Sequence, residues 1–243
     1  MSVGVERLLD MLFSVLPNIW RLRTCEEAVT FDSGLLTVKR EIRSKLRIIA
    51  IDDEGFPYRE GLESYGFTLT TRTTSPPGTE LGQFAIVISD IMGVMPQNTN
   101  QHGLPAIEEY FNEYPLLRVV VLTGAQRNSN LIRRAEQSSD IVLSKQTALE
   151  DMVPVLDRLL ADILSPTSQW TRMRNFLRKK GLNSKQLLLA EHYYTQSFIK
   201  NQPDIFSKGL GKLRTNVDYS EVLAGSVSAF SAVVKLARTL SGP

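Results

Sequence analysis

Five side chains in this sequence have types and positions that together make chemistry: Asp52, Asp53, Asp90, Thr123 and Lys145. Each follows a short apolar run. Residues 46–51 lead into Asp52-Asp53, 84–89 into Asp90, 118–122 into Thr123-Gly124, and 141–144 into Lys145. Runs this brief and this rich in β-branched residues predict buried strands. In open parallel α/β sheets the crevice beyond the carboxyl ends of the strands is where ligands bind. Three carboxylates gathered there repel one another: at about 4 Å and an effective dielectric near 20, each pair costs roughly 4 kcal/mol. Either their pKa values rise or a cation sits among them. Hard oxygen donors in a small, partly hydrated site suit Mg²⁺, which keeps several waters and shares its shell with phosphoryl groups. Asp90 can then serve as a nucleophile toward phosphorus, giving an aspartyl-phosphate. Thr123 offers a hydroxyl to one phosphoryl oxygen, Lys145 a mobile point charge to another, and Gly124 leaves room for the group to arrive.

The elements that must position these residues alternate in type. Strands are expected at 46–51, 67–71, 84–89, 118–122 and 141–144. Helical segments are expected from Pro57 to about Tyr65, weakly over 74–83, around Leu104, Ile107, Tyr110 and Phe111, around Leu131, Ile132 and Ala135, and over 149–164. The last carries a strong stripe of Met152, Val153, Leu156, Leu159, Leu160 and Ile163. Pro76, Pro77 and Gly78 make the second segment a poor helix. Five strands alternating with helices, joined by right-handed crossovers, predict an α/β fold with a five-stranded parallel doubly wound sheet.

With these positions in order, residues 46–164 resemble the receiver domain of bacterial two-component response regulators. That family ends strand one in an acid pair (here Asp52-Asp53) and strand three in a phosphoacceptor Asp (Asp90). It ends strand four in Ser or Thr with a small residue after it (Thr123-Gly124) and strand five in Lys (Lys145). The resemblance implies a flavodoxin-like fold. It also implies Mg²⁺ held by Asp53 and Asp90, with Asp52 acting through water and the backbone carbonyl of Met92 as a further ligand. The phosphoryl donor it implies is a histidine kinase or a histidine phosphotransfer protein. Three features depart from the pattern. Gln146 stands where the family has a Pro, often cis; a cis bond to Gln would cost about 2.5–4 kcal/mol, so a trans bond is expected. Val142 replaces an aromatic that moves inward when the Thr moves, so that coupling is expected to be absent or rewired. The loop 93–103 is long and polar and is expected to be a tolerated insertion.

The flanks extend this core. Residues 1–45 are expected to form a helical extension, with an amphipathic helix carrying Val5, Leu8, Leu9, Leu12, Phe13 and Leu16 and a second, basic piece over 37–45. A small linker, 165–168, is expected to lead into an all-α region reaching residue 243, with helices at 170–180, 184–200 and 219–240 and a break at Gly209 and Gly211. Between residues 170 and 214 ten basic side chains face two acids, with aromatics interleaved. Such a stretch can follow phosphate backbones, but no helix-turn-helix pattern accompanies it. Output through protein–protein contact of the helical flanks is therefore expected, to an unnamed downstream partner and with a homodimer open. A DNA-binding transcriptional regulator and a phosphate sink without directive output are the alternatives.

The composition excludes other classes. The 243 residues carry a net charge of +2, a balance that argues neither for nor against nucleic acid and leaves that question to local charge. The single cysteine, Cys25, excludes an internal disulfide framework, fits a reducing compartment and reads as a small buried hydrophobe. Two histidines and one cysteine make no soft-metal cluster. Gly209-Leu210-Gly211-Lys212 lacks the Walker spacing, with Phe206 and Leu213 where Gly and Ser or Thr are needed, and no hydrolase signature is present, so no enzyme is expected. The apolar stretch 11–20 is too short to span a bilayer and has no basic leader, so a soluble, cytoplasmic protein without membrane contact is expected.

Overall fold

The structure is a computed structural model that describes residues 23–25, 39–92, 103–124, 130–200, 202 and 204–213. The helices expected at 5–16 and 219–240 and the tip of the loop 93–102 lie outside the described residues. The chain enters through α1 (Lys39–Lys45) and β1 (Arg47–Ile51), followed by α2 (Arg59–Ser64), β2 (Thr68–Arg72), the single turn α3 (Gly78–Leu81) and β3 (Ile86–Asp90). Then come α4 (Leu104–Glu113), β4 (Arg118–Thr123), α5 (Asn130–Gln137), β5 (Ile141–Ser144) and α6 (Leu149–Leu164). Three helices complete the described chain: α7 (Pro166–Lys179), α8 (Ser184–Lys200) and α9 (Asp204–Gly211).

The five strands form one sheet in the order β2-β1-β3-β4-β5, every pair parallel. This is the doubly wound order of flavodoxin-like folds, with its switch point between β1 and β3. Alternation along the central strands explains why both faces are covered. Ile48, Ala50, Ile86, Ile88, Val120 and Leu122 face one core, which Ile42 of α1, Leu62 of α2 and the stripe of α6 complete. Ile49, Ile51, Val87, Val119 and Val121 face the other, against Leu81, Ile107, Tyr110 and Ala135. Arg43 joins α1 to α6 through a bidentate pair with Asp157 (2.6 and 2.8 Å).

Several expected boundaries move. The third strand starts at Ile86 rather than Phe84, because the Phe84 N–H still closes a turn on the Leu81 carbonyl. It ends one residue later, so Asp90 belongs to the ladder, opposite Leu122. The second strand shifts by one residue to 68–72, and α2 occupies only 59–64 of the expected 57–65. The expected linker 165–168 shrinks to Ser165. Its hydroxyl accepts the Ser168 N–H, capping α7, and Pro166 takes the first helical position, where its missing N–H costs nothing. Gly209 does not break a helix but lies inside α9, where a β-carbon would collide with the Tyr193 ring. It is a close-approach glycine, and the α8–α9 contact depends on it.

The helical region has its own core of Trp170, Met173, Phe176, Leu177, Ala190, Tyr194, Phe206 and Leu210, with Cys25 buried among them. The chain turns from α7 to α8 at Gly181, in the left-handed region at φ 96°; Leu182 then donates back to the Leu177 carbonyl (3.1 Å). Arg172 on α7 holds this region to the sheet. Its Nε donates to the Pro115 carbonyl (2.9 Å), its Nη2 to the Leu117 carbonyl (3.0 Å), and its Nη1 pairs with Asp140. The other oxygen of Asp140 accepts the Val119 N–H (2.7 Å). Lys180 pairs with Glu113 (2.6 Å) beside it. All these contacts lie at the amino ends of β4 and β5, the sheet edge opposite the acids.

Candidate functional site

Strand register builds the site. Ile51 lies opposite Ser89, which sets Asp52 beside Asp90; Asp90 lies opposite Leu122; and Thr123 lies opposite Ser144, with Lys145 next. The Lys145 N–H continues this pairing by donating to the Thr123 carbonyl (2.9 Å). Five residues distant in sequence therefore share one sheet edge because four parallel strands end level.

Carboxylate oxygens of Asp52, Asp53 and Asp90 all lie within 4.8 Å of one another. Asp52 and Asp90 are buried and Asp53 is exposed. The Lys145 ammonium reaches between the two buried acids, 2.7 Å from Asp90 Oδ2 and 3.1 Å from Asp52 Oδ2. Burial depresses the Lys145 pKa, but the hydrogen bonds to Asp90 and then Asp52 outweigh it, and the net shift is upward. Asp52 Oδ1 accepts the Glu54 N–H (3.0 Å). Asp90 Oδ1 is buried and has no hydrogen-bond partner among the described residues. An orphaned carboxylate oxygen is costly to bury, and its carboxylate belongs to a cluster of three that one lysine does not neutralise. Thr123 is buried at the end of β4, while a β-carbon on Gly124 would meet nothing within 4 Å among the described residues. Met92, half exposed, follows two residues after Asp90.

The residues fit a hard divalent cation: three carboxylates converge and, among the described residues, one buried oxygen is unclaimed. Asp52, Asp53, Asp90 and Lys145 are thus brought together, and Thr123 ends the neighbouring strand. The structure adds residues that the sequence pattern did not single out. The Tyr58 hydroxyl donates to the Lys145 carbonyl (2.5 Å), and the Ser144 hydroxyl accepts the Gln146 N–H (3.1 Å). No cis peptide bond occurs among the described residues, in line with the trans bond expected at Gln146. Val142 packs, half buried, against the core on the α4 side.

Fold and site together define a flavodoxin-like doubly wound domain with its acids at the switch point of the sheet. No family model and no curated protein matches the chain in sequence. Among solved structures, a CheY-like receiver domain protein from Methanospirillum hungatei is 18% identical, covers 49% of this chain and 95% of its own, and has a TM-score of 0.40. The response regulator TrrA from Thermotoga maritima, in complex with Mg²⁺ and BeF, is 21% identical over 47% of this chain and 98% of its own, with a TM-score of 0.35. RcsB from Salmonella enterica, bound to a promoter in the presence of phosphomimetic BeF₃⁻, is 18% identical over 76% of this chain and 98% of its own, at a TM-score of 0.38. Overlaps of this size add nothing to the fold assignment, which stands on strand order and register.

Proposed function

We propose that this chain is a phosphoryl-accepting receiver of a two-component relay, with Asp90 as the acceptor and the helical flanks as the route of output through protein contacts. The observation that carries this is the Asp90 carboxylate: one oxygen is held by Lys145, the other is buried and unpartnered among the described residues, and the group lies in a cluster with Asp52 and Asp53. In the proposed step Asp90 Oδ1 attacks the phosphorus of a phosphoimidazole on a histidine kinase or phosphotransfer protein. The P–O bond forms as the P–N bond breaks, and the imidazole leaves with the electron pair and takes up a proton. Lys145 and Thr123 are the groups at this edge able to donate to the phosphoryl oxygens. Asp52, Asp53 and Asp90 would hold Mg²⁺, with the Met92 carbonyl as the resemblance suggests; the ion would offset the charge of donor and acceptor. The test is transfer from a histidine-phosphorylated donor in the presence of Mg²⁺, followed on a phosphate-affinity gel. A shifted band that EDTA abolishes supports the proposal; no band with any histidine-phosphorylated donor overturns it.

A second reading concerns output. Arg174, Arg178, Lys185, Lys200 and Lys212 are exposed and carry no ion pair among the described residues, which favours a polyanion such as duplex DNA. Engagement of three to five of these cations would lower affinity by roughly 40- to 500-fold between 50 and 200 mM salt. A salt-independent interaction, or none, leaves protein contact as the output.

A further inference from the structure

We infer that Tyr58 is a positioning residue for Lys145: its hydroxyl, by tying down the Lys145 carbonyl, holds the β5–α6 loop where the lysine ammonium spans Asp90 and Asp52. The inference rests on the receiver reading of the site and deepens it.

The geometry begins with what the loop lacks. After Lys145 comes Gln146, an exposed residue with free backbone torsions, and the loop 145–148 must still present a long, flexible side chain to two carboxylates. Three contacts fix it. The Lys145 N–H is tied to the Thr123 carbonyl, the Gln146 N–H to the Ser144 hydroxyl, and the Thr147 N–H to the Ser144 carbonyl (3.0 Å). All three act through N–H groups or stay within a residue or two of β5. The Lys145 carbonyl is held instead from across the fold, by Tyr58 at 2.5 Å. Tyr58 is itself well placed to act as an anchor. It caps the start of α2, its carbonyl accepts the Leu62 N–H (2.9 Å), and its ring packs beside Phe56 at 5.6 Å between centroids and against the α6-side core. Gly61, one turn on, lets α2 approach the first residue of α6 closely, since a β-carbon there would stand 2.5 Å from a Leu149 methyl. The connection between β1 and α2, which begins with the acid pair, is thus tied to the β5–α6 loop by the Tyr58 hydroxyl.

Tyr58→Phe keeps the ring and removes only the bond. The expected result is a phosphorylation rate lowered about tenfold, the effect of one hydrogen bond on a positioned group, with the thermal midpoint nearly unchanged. A residue that acts through Lys145 must lose its effect when Lys145 is gone. In a Lys145→Ala background, Tyr58→Phe is therefore expected to leave the residual rate unaltered. Equal losses in both backgrounds, or no loss in the wild-type background, overturn the inference. A second readout needs no phosphorylation: hydrogen exchange of the Lys145 side-chain ammonium, followed by NMR in ¹⁵N-lysine protein, is expected to accelerate several-fold in Tyr58→Phe. If the exchange rate does not change, the anchor is refuted. If it accelerates while wild type accepts no phosphoryl group, the anchor stands and the receiver reading fails.

Discussion

Lys145 is the residue on which the acid cluster turns. Asp52 and Asp90 are buried within reach of one another, and the ammonium between them is their counter-ion in the protein itself. Its upward pKa shift carries a stability consequence with a definite sign. A cation whose folded pKa exceeds its unfolded value stabilises fully below the unfolded value, about 10.4 for lysine, and the gain is lost as pH rises through the folded value. In metal-free buffer the unfolding midpoints of wild type and Lys145→Ala are thus expected to differ by a constant amount from pH 7 to 9 and to converge in strongly alkaline solution. A difference that disappears already near pH 8 would show that the pair is not what raises this pKa. These residues were legible from the sequence because each is a polar residue closing a short apolar run. Tyr58 was not: a tyrosine after a proline at a helix start has no pattern, and its partner is a backbone carbonyl 87 positions away.

At the scale of elements, helix and strand types followed from apolar periodicity, and the ends did not. Strand ends depend on which neighbour supplies the ladder, which is why β3 shifted two residues at one end and gained Asp90 at the other. Glycine also had two meanings that sequence does not separate: Gly181 is needed for its torsion, Gly209 for its missing side chain. The basic run from residue 170 to 214 has the composition of a stretch that follows phosphate backbones, yet its members do different work. Arg172 and Lys180 fasten α7 to the sheet domain, and Lys208 pairs with Asp204 on its own helix. Arg172 is the sharpest case, because its removal takes a donor from the Pro115 and Leu117 carbonyls and from one oxygen of Asp140. Arg172→Ala is expected to cost about 1–3 kcal/mol, the range for leaving hydrogen-bonding groups unpaired, read as a lower urea midpoint. Lysine at this position would reach only one of the three acceptors and recover little. An Arg172→Ala variant as stable as wild type would mean that α7 is held by its apolar contacts alone.

Across the whole molecule, the acids and the helical region occupy opposite ends of one sheet. The acids lie at the carboxyl ends of the strands, while α7 is fastened at the amino ends of β4 and β5. The described part of the helical region therefore leaves the acid edge uncovered, and α6 runs into α7 with one residue between. Among the described residues no helix is long and apolar enough to cross a membrane. The arrangement of the sheet could be anticipated, since alternating elements and right-handed crossovers leave few topologies. The docking of the tail could not, because it rests on carbonyls and one aspartate rather than on a motif. The central claim, that Asp90 accepts a phosphoryl group, is tested most directly by intact mass after incubation with acetyl phosphate, with and without Mg²⁺, for wild type and Asp90→Asn. The account predicts a gain of one phosphoryl mass in wild type only, dependent on the metal and lost on treatment with base. The same gain in Asp90→Asn, or none in wild type under any of these conditions, would contradict it.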